Sequence, residues 1–427
     1  MLADYTIFIL RDSYIIMKEK MTLFFKGMKP FEISLFIVLG LTAVVLPFSW
    51  VLSTWMLGLL VVNSCVLAVV SRRFGNPSLQ KWARWSLWLL VAFYLLQEVS
   101  LIYTANMKEA GTMLMHRLPL LIFPLCCLMC NTAFLTRDRQ RMLVWLLTGS
   151  LVVKFFIRLV YILCTSHKIV FSSTFDPVHH SYMAMYLLFV LGFLYSEWFY
   201  YRNEMKKWML WSLGIIAAVI MAYIVLVLSR AGIAGLVLMV GMVIIHLIFR
   251  AKEVRLGLIA LALALTAGIG VFFLLPESSR RLTKTFEEMS EGDTSDARYL
   301  IFGSSMKAIG QSLPFGVGIG DRCDVLAQIY EETGEEYAIK AQYNSHNIYL
   351  DAMVTMGIPG ILLLLAVFVV PAVGAYKRRD FITLSLIYSI AFSGLFEAVL
   401  NRQMGVVFMG LFWFILMAGE KKSGELG

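Results

Sequence analysis

Residues 343–351, Tyr-Asn-Ser-His-Asn-Ile-Tyr-Leu-Asp, set His346 among Asn344, Ser345, Asn347 and Asp351 immediately before a long apolar run. An imidazole changes its proton near neutral pH, so a histidine within reach of a hydroxyl can take the hydroxyl's proton and make it a nucleophile. Asn344 or Ser345 is the expected N-cap here, which would put His346 and Asn347 in the first helical turn. There the backbone N–H groups disfavour imidazolium and can receive an anionic oxygen. Asn347 and Asp351 stand four apart and share a face, Gly357 should close this short helix, and Pro359 should restart the chain at a new angle.

Cations elsewhere suit a negatively charged partner. Lys154 and Arg158 lie on one face of an apolar run, four residues apart, and need an anion or a wet cavity, although Arg158 could also reach the interface with its tip. Arg230, in Ser229-Arg-Ala-Gly-Ile-Ala-Gly235, carries a guanidinium fork that matches phosphate oxygens and stays charged; an interfacial anchor is the alternative. Arg298 opens an expected amphipathic helix with Tyr299, Phe302, Met306 and Ile309 at helical spacing, ending before Pro314. The following Gly316, Gly318 and Gly320 lack the flanking strand and helix of a dinucleotide loop and are expected to form a tight turn. His179 and His180, after Asp176, are counted with the substrate-facing residues. A zinc site there is disfavoured, because adjacent histidines point apart on a helix and no spaced third ligand follows. His116 and His167 read as loop residues and His246 as structural; Cys126, Cys127 and Cys130 read as packing groups. The acidic Glu287, Glu288, Asp293 and Asp296 read as a solvated face, with no carboxylate cluster that would hold a metal.

What must position these groups is a membrane bundle. The 427 residues are 59% hydrophobic and 15% charged, with a mean hydropathy of +0.77, far from the soluble balance of roughly a quarter charged. Continuous apolar runs rather than two-residue alternation indicate helices. The expected fold is an all-α polytopic bundle of about twelve spans: 31–48, 50–70, 85–103, 118–135, 142–164, 181–200, 208–228, 231–249, 256–275, 345–376 broken near 357–360, 381–399 and 404–419. The +9 charge does not indicate nucleic acid, since the basic residues fall in alternate short loops: Arg72–Arg84, Arg137–Arg141, Arg202–Lys207, Arg250–Arg255, Lys377–Arg379 and Lys421–Lys422. The positive-inside rule then assigns both termini to the cytoplasm. The organisation expected is a basic N-terminus (1–30), nine spans (31–275), an outer segment (276–345), three spans (346–419) and a tail (420–427). No cleavable signal peptide is evident in the basic leader.

His346-Asn347, nine residues, and Gly357-Ile-Pro-Gly360 resemble the pattern His-[Asn/Ser/Gln]-x9-Gly-x-x-[Gly/Thr/Tyr] of the O-antigen ligase superfamily. The order is also similar: Ser229-Arg230-Ala231, then Arg298, then Pro314 to Gly320, then the His-Asn motif. The resemblance covers residues 150–375 by motif and the remainder by topology. It implies transfer of a glycan from undecaprenyl diphosphate to an acceptor hydroxyl on the outer face of the bacterial inner membrane, without cofactor or divalent metal. The acceptor is the lipid A core in ligases, another lipid-linked unit in polymerases, and a protein hydroxyl in oligosaccharyltransferases. The ligase is favoured by chain length and the single large outer segment. His346 would take the acceptor's proton or orient its hydroxyl, Arg230 and Arg298 would hold the diphosphate, Lys154 and Arg158 could add to that site, and Asn347 would face substrate. A twelve-span transporter or flippase would share the topology, but the asymmetric outer segment and single helix break argue against paired halves.

Overall fold

In the computed structural model the described residues are 24–71, 75–165, 178–227, 229–263, 297–334, 338–339 and 343–418. His167, Asp176, the Glu287–Asp296 group, Arg72, Arg73, the leader up to residue 23 and the tail from 419 lie outside them, as does the Arg298 side chain.

The described residues form an all-α membrane bundle: α1 (Pro30–Val45), α2 (Trp50–Val70), α3 (Lys81–Val99), α4 (Met107–Arg117), α5 (Pro119–Met129), α6 (Arg137–Thr165), α7 (His180–Tyr201), α8 (Lys207–Leu226), α9 (Arg230–Ile245), α10 (Val254–Leu263), α11 (Ala297–Ser312), α12 (Arg322–Glu332), α13 (Ile348–Lys377), α14 (Phe381–Ser393) and α15 (Gln403–Met417). Among these residues seven helices are long and apolar enough to cross a membrane, or eight if α4 and α5, bent by 42° at Leu118, make one span. α1, α10, α14 and α15 are apolar but shorter. His116 lies inside α4 rather than in a loop, because the Asn106 side chain accepts from Glu109 N and starts that helix early.

α15 is the hub. Every residue from Gly405 to Met417 is buried, as expected of a helix that is apolar all round. α7 lies beside it, with Tyr186 stacked on Phe408 at 4.6 Å and Phe189 against Phe412 at 4.9 Å.

The basic loops meet at one end. Arg137 pairs with Asp380 at 2.5 Å, Arg378 donates to Gln80, Arg202 pairs with Glu253, and Arg250 donates to the Tyr376 hydroxyl. α13 runs from Asn347 at the other end to this one. At 1.5 Å per residue, α14 and α15 are only ~20 Å and ~23 Å long, against a hydrocarbon core of roughly 30 Å. Their inner ends are fixed at the basic end, by Asp380 capping α14 and by Gln140 donating to the carbonyls of Ile415 and Ala418. The connection between them, residues 394–402, is therefore sunk below the rim of the end opposite the basic loops, where irregular backbone is tolerated only if protein covers it or it lines a wet cavity.

The two glycine motifs form one joint. Gly357 breaks α13 with φ 62° and ψ −146°. In an unbroken helix the Val354 carbonyl would accept from Ile358 N, and the Thr355 carbonyl would face Pro359, which has no N–H. Instead Val317 N donates to Val354 at 2.8 Å, Gly318 N donates to Thr355 at 3.0 Å, and Ile358 N donates to Pro314 at 2.9 Å. The 314–320 turn is thus a backbone clamp on the break. Its far side is held by Tyr103, whose hydroxyl donates to the Phe315 carbonyl, and by Ser100, which accepts from Ile319 N.

A Cβ on Gly357 would lie 2.0 Å from the Pro314 oxygen, in a conformation that costs a side chain about 1–3 kcal/mol even without the clash. Gly357→Ala is expected to lose at least ~3 kcal/mol of stability, read as a lowered unfolding midpoint in detergent micelles. An unchanged midpoint would contradict the clamp.

α11 starts where the sequence placed it, but its buried side differs. Ile301, Ala308 and Ile309 pack with Leu326, Ile329 and Val354, while Tyr299, Phe302 and Met306 are exposed. Both sides of this helix are apolar, so helical spacing alone could not select the one that docks.

Candidate functional site

His346 is not in the first turn of α13. Asn344 uses its side-chain oxygen to accept from His346 N at 2.9 Å, and the resulting turn holds His346 in a left-handed backbone conformation, φ 41°. The N-cap is Asn347, whose Oδ1 accepts from Tyr349 N at 2.8 Å and Leu350 N at 3.1 Å. The histidine is therefore presented beside the helix start. A non-glycine residue held in this region carries about 1–3 kcal/mol of strain, which the surrounding bonds must over-determine.

Those bonds join α13 to the sunken connection. Ile348 N donates to the Gly394 carbonyl at 2.8 Å, Asn347 Nδ2 to Leu395 at 3.0 Å, and the Tyr349 hydroxyl to Ala391 at 2.9 Å. They bring Glu397 to His346, with Nδ1 to Oε1 at 3.2 Å. Burial alone would raise the Glu397 pKa, but the His346 hydrogen bond and the nearby His346 and His179 imidazoles outweigh it and hold the carboxyl below the ordinary glutamate value. Glu397 is thus a carboxylate at neutral pH. Any stability it contributes is present above the ordinary glutamate pKa and is lost only as pH falls through the lowered value.

His179 and His180 enter the same region from the start of α7. Their rings lie 3.8 Å apart, not pointing away from each other as two helical neighbours would. The reason is that His179 is the N-cap, with ψ 145°, and only His180 is helical. His179 interacts electrostatically with Glu397, His346 and Arg402, and its pKa is lowered first by desolvation and then by the positive groups, against the pull of Glu397. Arg402 precedes α15 and no described residue accepts from its guanidinium.

Arg230 opens α9, where Ser229 accepts from Gly232 N at 3.2 Å. A Cβ on Gly232 would come within 2.8 Å of Ala184 Cβ, and one on Gly235 within 2.7 Å of Leu188 and 2.9 Å of the Phe392 ring. The small residues after Arg230 therefore let its helix close onto the first turns of α7 and the last turn of α14. This packing brings Arg230 to the His346 end of the bundle.

The remaining expected residues are placed differently. Asn347 has both polar side-chain atoms engaged by the backbone, which makes it a brace in this structure. Lys154 is buried, its ammonium donates to the Pro47 carbonyl and lies 6.0 Å from the Phe48 ring, so it serves the α1–α2 corner. Arg158 lies one turn further along α6. Arg298 lies in the first turn of α11.

Beneath His346 is a charged core that sequence reading missed. Asp351 receives Arg117 Nη2 at 2.6 Å, Arg322 Nη1 at 2.7 Å and Asn401 Nδ2 at 3.1 Å, while Arg117 also donates to Gln97 at 2.7 Å. All five residues are buried. The cluster ties the α4–α5 bend, α12, α13 and the connection before Arg402 into one floor for the site.

Residues 219–365, about a third of the chain, match the family model described as O-antigen ligase. That interval begins on α8 and contains Arg230, Arg298, the 314–320 turn, His346 and Gly357. No curated protein matches the chain.

Proposed function

We propose that this chain, of which residues 219–365 match the family model described as O-antigen ligase, acts as a member of that superfamily and transfers a lipid-linked glycan to the lipid A core. The observation that carries the reading is a carboxylate-backed imidazole in the recessed end of the bundle, beside the helix that starts with Arg230. The positive-inside rule assigns the basic end to the cytoplasm, which gives His346 the periplasmic side of the inner membrane.

In the proposed reaction the glycan arrives on undecaprenyl diphosphate from the outer leaflet. An acceptor hydroxyl attacks the anomeric carbon, its O–H proton passes to His346, and the bond from that carbon to the phosphate oxygen breaks. Arg230 and Arg298 hold the diphosphate and stabilise the charge it gains on leaving, a role that fixed cations perform best where water is scarce. The proton acceptor and the leaving-group cations are all protein groups, so the scheme needs neither a divalent metal nor a cofactor.

The test supplies purified protein with a lipid-linked glycan and, separately, lipid A core, a second lipid-linked unit or a hydroxyl-bearing peptide. Product on lipid A core is expected. Chain extension on the second lipid-linked unit would make the protein a polymerase, and product on the peptide an oligosaccharyltransferase. Movement of solute or lipid with no glycan transfer would sink the enzyme class.

A further inference from the structure

We propose that the exposed side of α11 and the turn that follows it form a membrane-seating surface, which takes the acyl chains of the lipid leaflet at the end opposite the basic loops. The inference concerns how α11 sits rather than what the site catalyses, and it does not depend on the proposed reaction.

The side of α11 that faces away from the bundle is apolar. Tyr299, Phe302, Met306 and Leu313 recur at helical spacing along the helix and its exit, and all four are exposed. Gly303 and Gly310 complete the stripe, and a Cβ on either would meet nothing among the described residues. At 3.6 residues per turn these six positions fall within an arc of about 100°, the width of a face that a helix normally buries. None of the six is charged. Lys307 stands at the border of the arc, where it pairs with Glu332 of α12 at 2.6 Å and marks the side turned to water. The opposite side of α11 is already occupied, since Ile301, Ala308 and Ile309 pack into the cluster with Val354. An exposed apolar face of this extent is an interaction surface.

Two rulers give its depth. Arg378 ends α13 at the basic end and donates to Gln80, the residue before α3. From that level α13 extends about 30 Å to Gly357 and α3 about 30 Å to Ser100, which is the thickness of a hydrocarbon core. Both points hold the same turn, because Ile358 N donates to Pro314 and Ser100 accepts from Ile319 N. The exit of α11 therefore lies at the boundary between acyl chains and headgroups. The buried side of α11 shares its cluster with Val354 and Leu350, in the part of α13 between this turn and the sunken connection, which keeps the helix close to the same level.

The surface also runs without a break into one that faces lipid. Phe315 is 63% exposed and Ile358, which follows the break that the turn clamps, is 43% exposed. Below them Leu362, Val369 and Val373 carry the exposed side of α13 down the span. Beside them Ile102, 86% exposed, and Tyr103 end α3, and the Tyr103 hydroxyl donates to the Phe315 carbonyl. Tyrosine suits this level, where its ring and its hydroxyl meet different media. One apolar surface that is lipid-facing in its lower part and free of charge in its upper part fits a single occupant, the bilayer.

The experiment places p-benzoylphenylalanine, one site at a time, at Phe302, Met306 and Phe315 of the full chain. Each variant is reconstituted in liposomes of phosphatidylethanolamine and phosphatidylglycerol, irradiated, and read by mass spectrometry of the adducts. Leu362, on the exposed side of α13, is the lipid reference and Glu332 the water reference, and the unfolding midpoint shows that each variant is folded. Phospholipid adducts at the three test sites should form in yields within about threefold of Leu362 and roughly tenfold or more above Glu332, as expected of a helix face sunk about 5–10 Å into the boundary. Adducts to a second copy of the chain would make the stripe a subunit interface, and adducts to another segment of the same chain would make it a covered core surface. Lipid yields no higher than at Glu332 would make it a face turned to water. Each of these three results would overturn the proposal.

Discussion

Replacing His346 with asparagine is expected to cut glycan transfer by roughly 10²–10⁴-fold, the range over which a lost general base is felt, while leaving the protein folded. Asparagine is the informative choice because position 346 has φ 41°, and asparagine tolerates the left-handed region better than most residues. Alanine would strain the turn and confuse loss of chemistry with loss of structure. The Glu397 carboxylate keeps its Ala398 hydrogen bond in the variant. The measurement is kcat/KM on the lipid-linked donor, alongside the unfolding midpoint. Activity within threefold of wild type would remove His346 from the reaction.

The largest stability effect is expected at Asp351. Its carboxylate is the counter-charge for both Arg117 and Arg322, and all three are at least 94% buried as side chains. Asp351→Ala would leave two guanidinium groups in a covered site, Arg117 with the amides of Gln97 and Asn401 and Arg322 with the Met113 sulfur, and breaking a buried ion pair from one side costs about 3–5 kcal/mol. Unfolding in detergent should occur at a much lower temperature, and the outer segment should loosen from α13. A loss below ~1 kcal/mol would mean that water reaches the cluster freely. Replacing Asp351, Arg117 and Arg322 together by apolar residues of similar volume should recover most of the loss, because the penalty lies in the unmatched charges rather than in the missing contact.

These two residues also mark what the sequence could and could not disclose. His346 stood out because a histidine at the edge of an apolar run is costly unless used, and the structure seats it beside the start of the helix that Gly357 breaks. The helix start was placed two or three residues early, since Asn344 and Asn347 are equally good caps in isolation and only the turn through His346 chooses between them. Glu397 was missed although the same rule on ionisable groups near apolar runs applies to it. Its chemistry depends on a partner 51 positions away, and nothing local marks that contact. The Asp351 cluster was illegible for the same reason, with Arg117 234 residues away and Arg322 29. Lys154 stood out correctly as an unusual buried cation, yet among the described residues its ammonium donates to a main-chain carbonyl at a corner, and carbonyls leave no trace in side-chain patterns. Arg230 was legible together with the small residues behind it, whose purpose appeared only when α7 and α14 were seen pressed against them.

The clamp between the 314–320 turn and the break at Gly357 bears on how proteins built on this joint can diversify. The 314–320 turn and the broken helix α13 exchange three backbone hydrogen bonds, which depend on no side chain but do require glycine at both contact points. Surface residues of α11 and α12 can therefore drift with substrate preference while the joint persists. A recombinant that imports an outer segment from a relative inherits a working seat only if the turn and the broken helix are transplanted as a matched pair.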